Sequence, residues 1–264
     1  MYSHERNLWP FLIVAVMAGL FLWSLTTIEM NFNVFFTQRG LKNFTLVFFD
    51  LFPIDSRYLP SVWESALDTL RMATVGTIIA ACLAFPISFL CASNLHKHWA
   101  FRSFFILPLK LLLNLFRSVD SLIWALLFVG IVGFGPTAGV IAITLHNFGS
   151  FTKLFYETIE GIDLRPVEAV EAIGARKMQV ITFAVLPDIL PAFLSTILYL
   201  WEYNFRSSQV LGIVGAGGLG LLINNAIGLY DWPKVGAIFL LIIVMVTIFD
   251  QVSYYLRKKL GSRI

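Results

Sequence analysis

From Phe11 to Ile28 the chain carries no charged side chain, and apolar runs return at Met72–Leu95, Val119–Phe134, Thr137–Thr152, Ile189–Asn204 and Val235–Leu256. Runs of this kind constrain the fold before any other feature does. The hydrocarbon core of a bilayer is about 30 Å thick and takes about 20 apolar helical residues to cross. No water inside it satisfies backbone N–H and C=O groups, so a crossing segment closes its own hydrogen bonds as a helix. Charged residues make up 13% of the chain, against about 25% in soluble domains. The chain therefore reads as an all-α membrane protein of about six transmembrane helices. The first run is long for a signal-peptide core and no small-residue cleavage site follows it, so it counts as a span. Cys82 and Cys91 lie in or beside one run, with the spacing of neither a disulfide framework nor a zinc site.

Two units are expected: residues 1–60, a span with an extracytoplasmic segment, and a core over residues 61–264. Between Glu29 and Pro60, Arg39, Lys42, Asp50, Asp55 and Arg57 are interleaved with Phe32, Phe35, Phe36, Phe44, Phe48 and Phe49, which suits a segment resting on the membrane surface. Phe101–Phe116 is apolar enough for a span, but Pro108 and Lys110 fall at its middle, where charge is costly in lipid. It reads as an interfacial helix. Asp68 and Arg71 can pair at the start of the second span, Ser118 or Asp120 can cap the third, and Pro191 bends the fifth. Phe205–Pro233 is glycine-rich and reads as irregular.

With the N-terminus inside, one face of the membrane receives Arg6, Lys97, Arg102, Lys110, Arg117, Lys153, Arg165, Arg176, Lys177, Arg257, Lys258, Lys259 and Arg263. The other receives Arg39, Lys42, Arg57, Arg71, Arg206 and Lys234. Positive charge favours the cytoplasm, so both termini and the stretch Glu168–Pro187 are expected there.

Glu168–Pro187 is the one long polar segment between two apolar runs. Pro166 suits the first turn of a helix, Glu168 and Glu171 suit the positive end of its dipole, and Gly174 is a natural stop. A second piece, Lys177–Val185, carries Met178, Ile181 and Val185 on one face before Leu186-Pro187 leads back into apolar sequence. The pattern is helix, glycine elbow, helix. Glu168-Ala169-Val170, Gly174, Ala184 and Leu186-Pro187 keep the spacing of the EAA loop and resemble that of permeases of ATP-driven (ABC) importers, with Val170 and Ala184 standing where that loop has Ala and Ile. Arg117–Val129 with Gly133-Phe134-Gly135-Pro136, and Glu202–Ser207 leading into Gly212–Gly220, resemble the phosphonate-type branch.

The resemblance implies a type I importer permease fold with a coupling helix, a coupling loop over residues 156–187, and a bacterial inner-membrane location. It implies contact with an ATPase through Glu168, Ala169, Glu171, Gly174, Leu186 and Pro187. It further implies two ATPase subunits that use ATP and Mg, an extracytoplasmic binding protein, and a second permease copy as a homodimer. The cargo it implies is phosphonate, phosphite or a related phosphorus oxyanion.

Several sites admit more than one reading. Glu202 and Arg206 are a helical ion pair, or Arg206 with Ser207, Ser208 and Asn204 lends donors to an anion's path. Gly217 and Gly218 serve close packing, or packing together with lining a pathway. His146 and Asn147 fit interhelical hydrogen bonding. His96-Lys97-His98 is too short for a metal site, and Asp188 and Asp250 read as interfacial. Gly215–Gly220 spells the dinucleotide fingerprint G-x-G-x-x-G, but without the βαβ unit the motif requires. No catalytic constellation and no Walker loop occurs, so ATP hydrolysis is expected in a separate subunit. No metal, bound cofactor or nucleic acid is expected. The rival classes are an ion-coupled secondary transporter, which would carry inverted repeats and buried carboxylates, and a membrane enzyme.

Overall fold

One long helix holds the core together. In the computed structural model the described residues are 9–27, 36–53, 58–95 and 102–261, and no strand occurs among them. Arg6, Phe32, Phe35, Asp55, Arg57, His96, Lys97, His98 and Arg263 lie outside them. The chain divides into two units, Met1–Asp50 and Leu51–Ile264. The first holds α1 (Trp9–Thr27) and α2 (Gln38–Asp50). Helix α1 is apolar around its whole circumference and buries no residue, as a lipid-surrounded helix does. Helix α2 is amphipathic, with Phe44 and Phe48 stacked at 5.9 Å on one face.

The second unit begins its helices with α3 (Leu59–Cys91), followed by α4 (Leu107–Ser118), α5 (Ser121–Val132) and α6 (Pro136–Glu160). Then come α7 (Leu164–Ala172), α8 (Lys177–Val180), α9 (Leu186–Leu211), α10 (Gly218–Gly228) and α11 (Trp232–Gly261). At 1.5 Å per residue α3 is about 50 Å long. It enters all three buried clusters: Val62, Ala66 and Ala73 pack with Phe205, Leu219 and Ile238; Ala80, Ala81 and Ala84 with Phe151, Phe155 and Phe193; and Met72 with Ala142, Ile143 and Leu211. Its most extensive partner is α6. Small residues on α3 admit the large side chains of α6 and α9, the packing that holds helices together where lipid removes the hydrophobic drive.

Four helical stretches are long and apolar enough to cross a membrane: Trp9–Thr27, Pro60–Cys91, Lys177–Ala216 and Trp232–Leu260. A fifth exists if Phe104–Ser118 and Ser121–Val132, bent by 84°, make one broken span. The expected third span over Val119–Phe134 is thereby corrected. Helix α5 is about 18 Å long and cannot cross alone. Helix α6, which contains the expected fourth span, is long enough, but Lys153, Glu157 and Glu160 crowd its last turns.

Further corrections concern boundaries. Pro108 lies in the first turn of α4, after a π-turn over Arg102–Ile106, rather than in mid-helix. Lys110 is not left bare: it pairs with Glu160 at 3.1 Å and lies over the Tyr156 ring at 4.0 Å. Asp120, not Ser118, caps α5, accepting from the Leu122 N–H at 2.8 Å. Asp68 and Arg71 do pair, at 3.0 Å, but inside α3. Phe205–Pro233 is mostly helical, with irregular backbone chiefly at the break Gly215–Gly218, where Gly215, Gly217 and Gly218 have φ of +100°, +83° and +68°. Helix α9 continues to Leu211 with Pro191 inside it, and a π-turn over Gly212–Ala216 leads to α10.

The fingerprint glycines are packing surface. A Cβ on Gly220 would sit 1.9 Å from the Gln209 carbonyl oxygen, whereas one on Gly130 meets nothing within 4 Å. Gly220→Ala is expected to destabilise the unit by about 1–3 kcal/mol, read as a lower unfolding midpoint in detergent. Gly130→Ala is expected to leave the midpoint in place.

Candidate functional site

Asp163 starts the most exposed helical element of the second unit. Its carboxylate accepts from the Arg165 backbone N–H at 3.0 Å and from Arg165 Nε at 2.7 Å. These bonds, the side-chain one foremost, hold the Asp163 carboxyl below the usual aspartate range. Helix α7 starts at Leu164 rather than near Glu168. Glu168 and Glu171 therefore lie past its first turn, and Asp163 supplies the anion at the positive end of the dipole.

Gly174 turns the chain at φ +82°, its N–H donating to the Glu171 carbonyl at 2.9 Å. That conformation costs an L-residue about 1–2 kcal/mol, and glycine nothing comparable. Helix α8 then starts at Lys177, with the Arg176 N–H bonded to Gln179 Oε1 at 2.8 Å. A π-turn over Ile181–Val185 joins it to α9.

The element turns two faces in different directions. Glu168, Ala169, Glu171, Gly174 and Pro187 are exposed, and so are the apolar Ile173 and Met178, at 83% and 75%. Val185 and Ile189, with Ile162, Val167 and Leu186 beside them, pack against Phe151, Phe155 and Phe193. The Phe155 and Phe193 rings stack at 4.0 Å. A cavity of about 200 Å³ separates the arms of the elbow, bordered by Leu164, Val167, Glu171, Lys177 and Val180. Exposed charge and apolar surface lie side by side here, over a firmly seated base.

The second candidate surface is a cleft of about 400 Å³ lined by Asp120, Leu122, Tyr203, Arg206, Ser207 and Val210. Of the sequence-derived pathway residues, Arg206 and Ser207 reach it. Ser207 Oγ lies 3.1 Å from Ser121 Oγ. Asn204 and Ser208 turn away: Asn204 Nδ2 donates to Thr77 Oγ1 at 2.8 Å, Asn204 Oδ1 accepts from Asn147 Nδ2 at 2.9 Å, and Ser208 is buried beside Thr69. Gly217 and Gly218 are buried. His146 Nδ1 lies 2.9 Å from the Val119 carbonyl, so with Asn147 it ties helices together.

Glu202 and Arg206 do form the helical ion pair. Two further members come from α11. Arg257 Nη2 donates to Glu202 Oε2 at 2.9 Å, and Asp250 Oδ1 lies 3.6 Å from Arg206 Nη2. Asp250 is therefore not interfacial, and Arg206 and Arg257, expected on opposite faces of the membrane, share one carboxylate; both readings are corrected by this pairing. The available signal was the spacing of Asp250 and Arg257, two turns apart and so on one helical face.

An all-helical membrane fold, with one capped helix–glycine–helix element seated on its core and a polar cleft along the same helix, defines a transport permease. The chain belongs to the family of binding-protein-dependent transport system inner membrane components, matched over residues 84–263. It is a permease of an ABC importer. Among its relatives, the phosphite transport system permease protein PtxC of Stutzerimonas stutzeri is 40% identical over 225 residues, 83% of this chain and 78% of PtxC. The phosphate-import permease protein PhnE of Mycolicibacterium smegmatis is 33% identical over 242 residues, 92% of this chain and 42% of PhnE. A chain from inward-facing crystals of the MetNI methionine ABC transporter superposes with TM-score 0.68 at 19% identity, covering 78% of this chain and 99% of that one. At that identity the likeness shows the fold.

Because the Asp163 carboxyl is depressed, its hold on α7 is full above the ordinary aspartate range and is lost as pH falls through the depressed value. Hydrogen exchange of residues 164–172, corrected for intrinsic rate, is expected to show protection falling in acid. Asp163→Asn, which caps without a charge, is expected to remove that pH dependence.

Proposed function

We propose that this chain, paired with a second copy as a homodimer, forms the pathway of an ATP-driven importer for phosphite, phosphonate or a related phosphorus oxyanion. Its α7–Gly174–α8 element receives the stroke of a separate ATPase. The observation that carries this reading is the continuous helical run from Lys177 to Leu211, which joins the exposed elbow to Arg206 and Ser207 in the cleft. Glu168, Ala169 and Glu171 face the ATPase, Gly174 lets α7 follow it, and Leu186-Pro187 passes the displacement into α9. The cavity between the arms gives α7 room to shift.

In this reading the elbow and both termini are cytoplasmic. Two ATPase subunits bind and hydrolyse MgATP, and an extracytoplasmic binding protein delivers cargo to the opposite face. Arg206 and Ser207 meet the cargo, while Glu202, Asn204, Ser208, Gly217 and Gly218 hold the helices behind them. The names of the relatives, and the Arg206 guanidinium and Ser207 hydroxyl in a cleft that also holds Asp120, support a phosphorus oxyanion. A passing contact suits transport, since a tight one would slow release.

The test is reconstitution of the chain with the ATPase and binding protein of its own operon or regulon in proteoliposomes. Vanadate-sensitive uptake of phosphite or methylphosphonate is expected. Gly174→Arg is expected to cut uptake about tenfold or more while ATP hydrolysis persists and insertion is unchanged. Unchanged uptake in that variant sinks the coupling assignment, and uptake of methionine in place of the oxyanions sinks the cargo assignment.

A further inference from the structure

Two arginines and two carboxylates meet where α9 and α11 touch, and the four are not equivalent. The Glu202 side chain is 11% exposed and each of its oxygens takes one arginine, Oε1 from Arg206 and Oε2 from Arg257. Arg206 is the more open of the pair: its side chain is 50% exposed, against 29% for Arg257. Only Arg206 borders the cleft. The Nη2 atom that serves Glu202 also lies 3.6 Å from Asp250 Oδ1, a buried oxygen that has no hydrogen-bond partner. Arg206 is thus shared between two acids and open to a third, while Arg257 is committed to one.

Burial makes this asymmetry consequential. Taking one partner from a buried ion pair leaves an uncompensated charge at large cost. An arginine that was the sole partner of Glu202 could not leave it for a passing anion. With Arg257 on the other oxygen, Glu202 keeps a cation when Arg206 swings out. The arrangement is neutral with the cleft empty and gains one available guanidinium when an anion enters. An arginine suits that task because its planar fork matches an oxyanion with two parallel N–H donors.

We propose that Arg206 is a transient oxyanion contact that exchanges between Glu202 and the cargo, and that Arg257 is the positioning residue that makes the exchange affordable by holding Glu202 throughout. Asp250 is the second resting partner of Arg206, close enough to draw it back after the anion moves on. The inference rests on the oxyanion reading of the cleft. It adds a residue from the last helix, outside the cleft lining, as a determinant of transport.

The experiment measures uptake of phosphite and methylphosphonate by the assembled transporter in proteoliposomes, normalised to inserted permease, with binding-protein-stimulated ATP hydrolysis read in parallel. Arg257→Gln leaves Glu202 to bind Arg206 alone. It is expected to lower uptake about tenfold or more, with stimulated hydrolysis retained. Adding Glu202→Gln to that variant frees Arg206 and is expected to recover most of the loss. A merely structural role for Arg257 would lower insertion or assembly instead, and the normalised rate would not move. Should Arg257→Gln insert poorly, Arg257→Met, which removes the cation and keeps a long side chain, supplies the background, and Glu202→Gln is expected to raise its normalised uptake too. Parent-like uptake by Arg257→Gln, or no recovery on adding Glu202→Gln in the background used, overturns the exchange. If the unaltered complex takes up neither oxyanion, the cargo reading itself fails and this inference falls with it.

Discussion

Inside a bilayer an apolar side chain gains nothing by leaving lipid for protein, so helices associate only where their surfaces come close enough for dispersion and hydrogen bonding to act. The second unit depends on that constraint. Helix α3 meets it with Ala66, Ala73, Ala80 and Ala84, all buried, into whose gaps the large side chains of α6 and α9 fit. The same condition explains the glycine-rich corner after α9: Gly220 lets α10 run against the carbonyl of Gln209 at a separation no side chain permits. What reads in a soluble protein as a nucleotide loop is here a device for bringing two helices into contact.

Close packing fixes distance, and polar side chains then fix register. Thr77, Asn147 and Asn204 bond across α3, α6 and α9 in one chain of two bonds, and Trp201 Nε1 adds a bond to Thr74 at 3.0 Å. Each is worth about 0.6 kcal/mol on average in a membrane protein. Together they select one rotation of α9 about its axis. That rotation sends Asn204 and Ser208 inward and leaves Arg206 and Ser207 facing the cleft. The residues that do not touch the cleft thereby decide which ones do.

How much of this was legible in the sequence follows the range of the interactions. The helix–elbow–helix element could be read because its signals are local: Pro166, Gly174 and Leu186-Pro187 each act within a turn. Its start was misplaced because Asp163, a strong capping residue, was passed over in favour of the proline that follows. The continuation of α9 beyond Asn204 was hidden by glycine density, which marks tight packing as readily as irregular backbone. The bounds of α5 were nearly legible, with Asp120 available as its cap; what was missed is that its 12 residues are too few to cross a membrane alone. The spacing of Asp250 and Arg257 put them on one helical face, but their partners could not be read: Arg257 sits 55 residues along the chain from Glu202, and no local rule pairs them. Only the packing of α11 on α9 does so.

The two surfaces lie on one lever, and its proportions matter. Phe193, stacked on Phe155 in the second core cluster, is the natural fulcrum, since the helix is held there by an aromatic ring fixed on α6. Along the axis the arm from Lys177 to Phe193 is about 24 Å and the arm from Phe193 to Arg206 about 20 Å, at 1.5 Å per residue. Under the proposed coupling, arms of nearly equal length neither amplify nor reduce whatever displacement reaches Phe193, and deliver it to Arg206 in the opposite sense. The π-turn over Ile181–Val185 and Pro191, the two places where the helical ladder is altered, both lie on the elbow side of the fulcrum. The helical ladder from Phe193 to Arg206 carries neither alteration, so under the proposed coupling that stretch would move as one piece. A displacement of an ångström or two then suffices to carry the Arg206 guanidinium out of hydrogen-bond range of a fixed partner, the scale on which an ion pair forms or breaks.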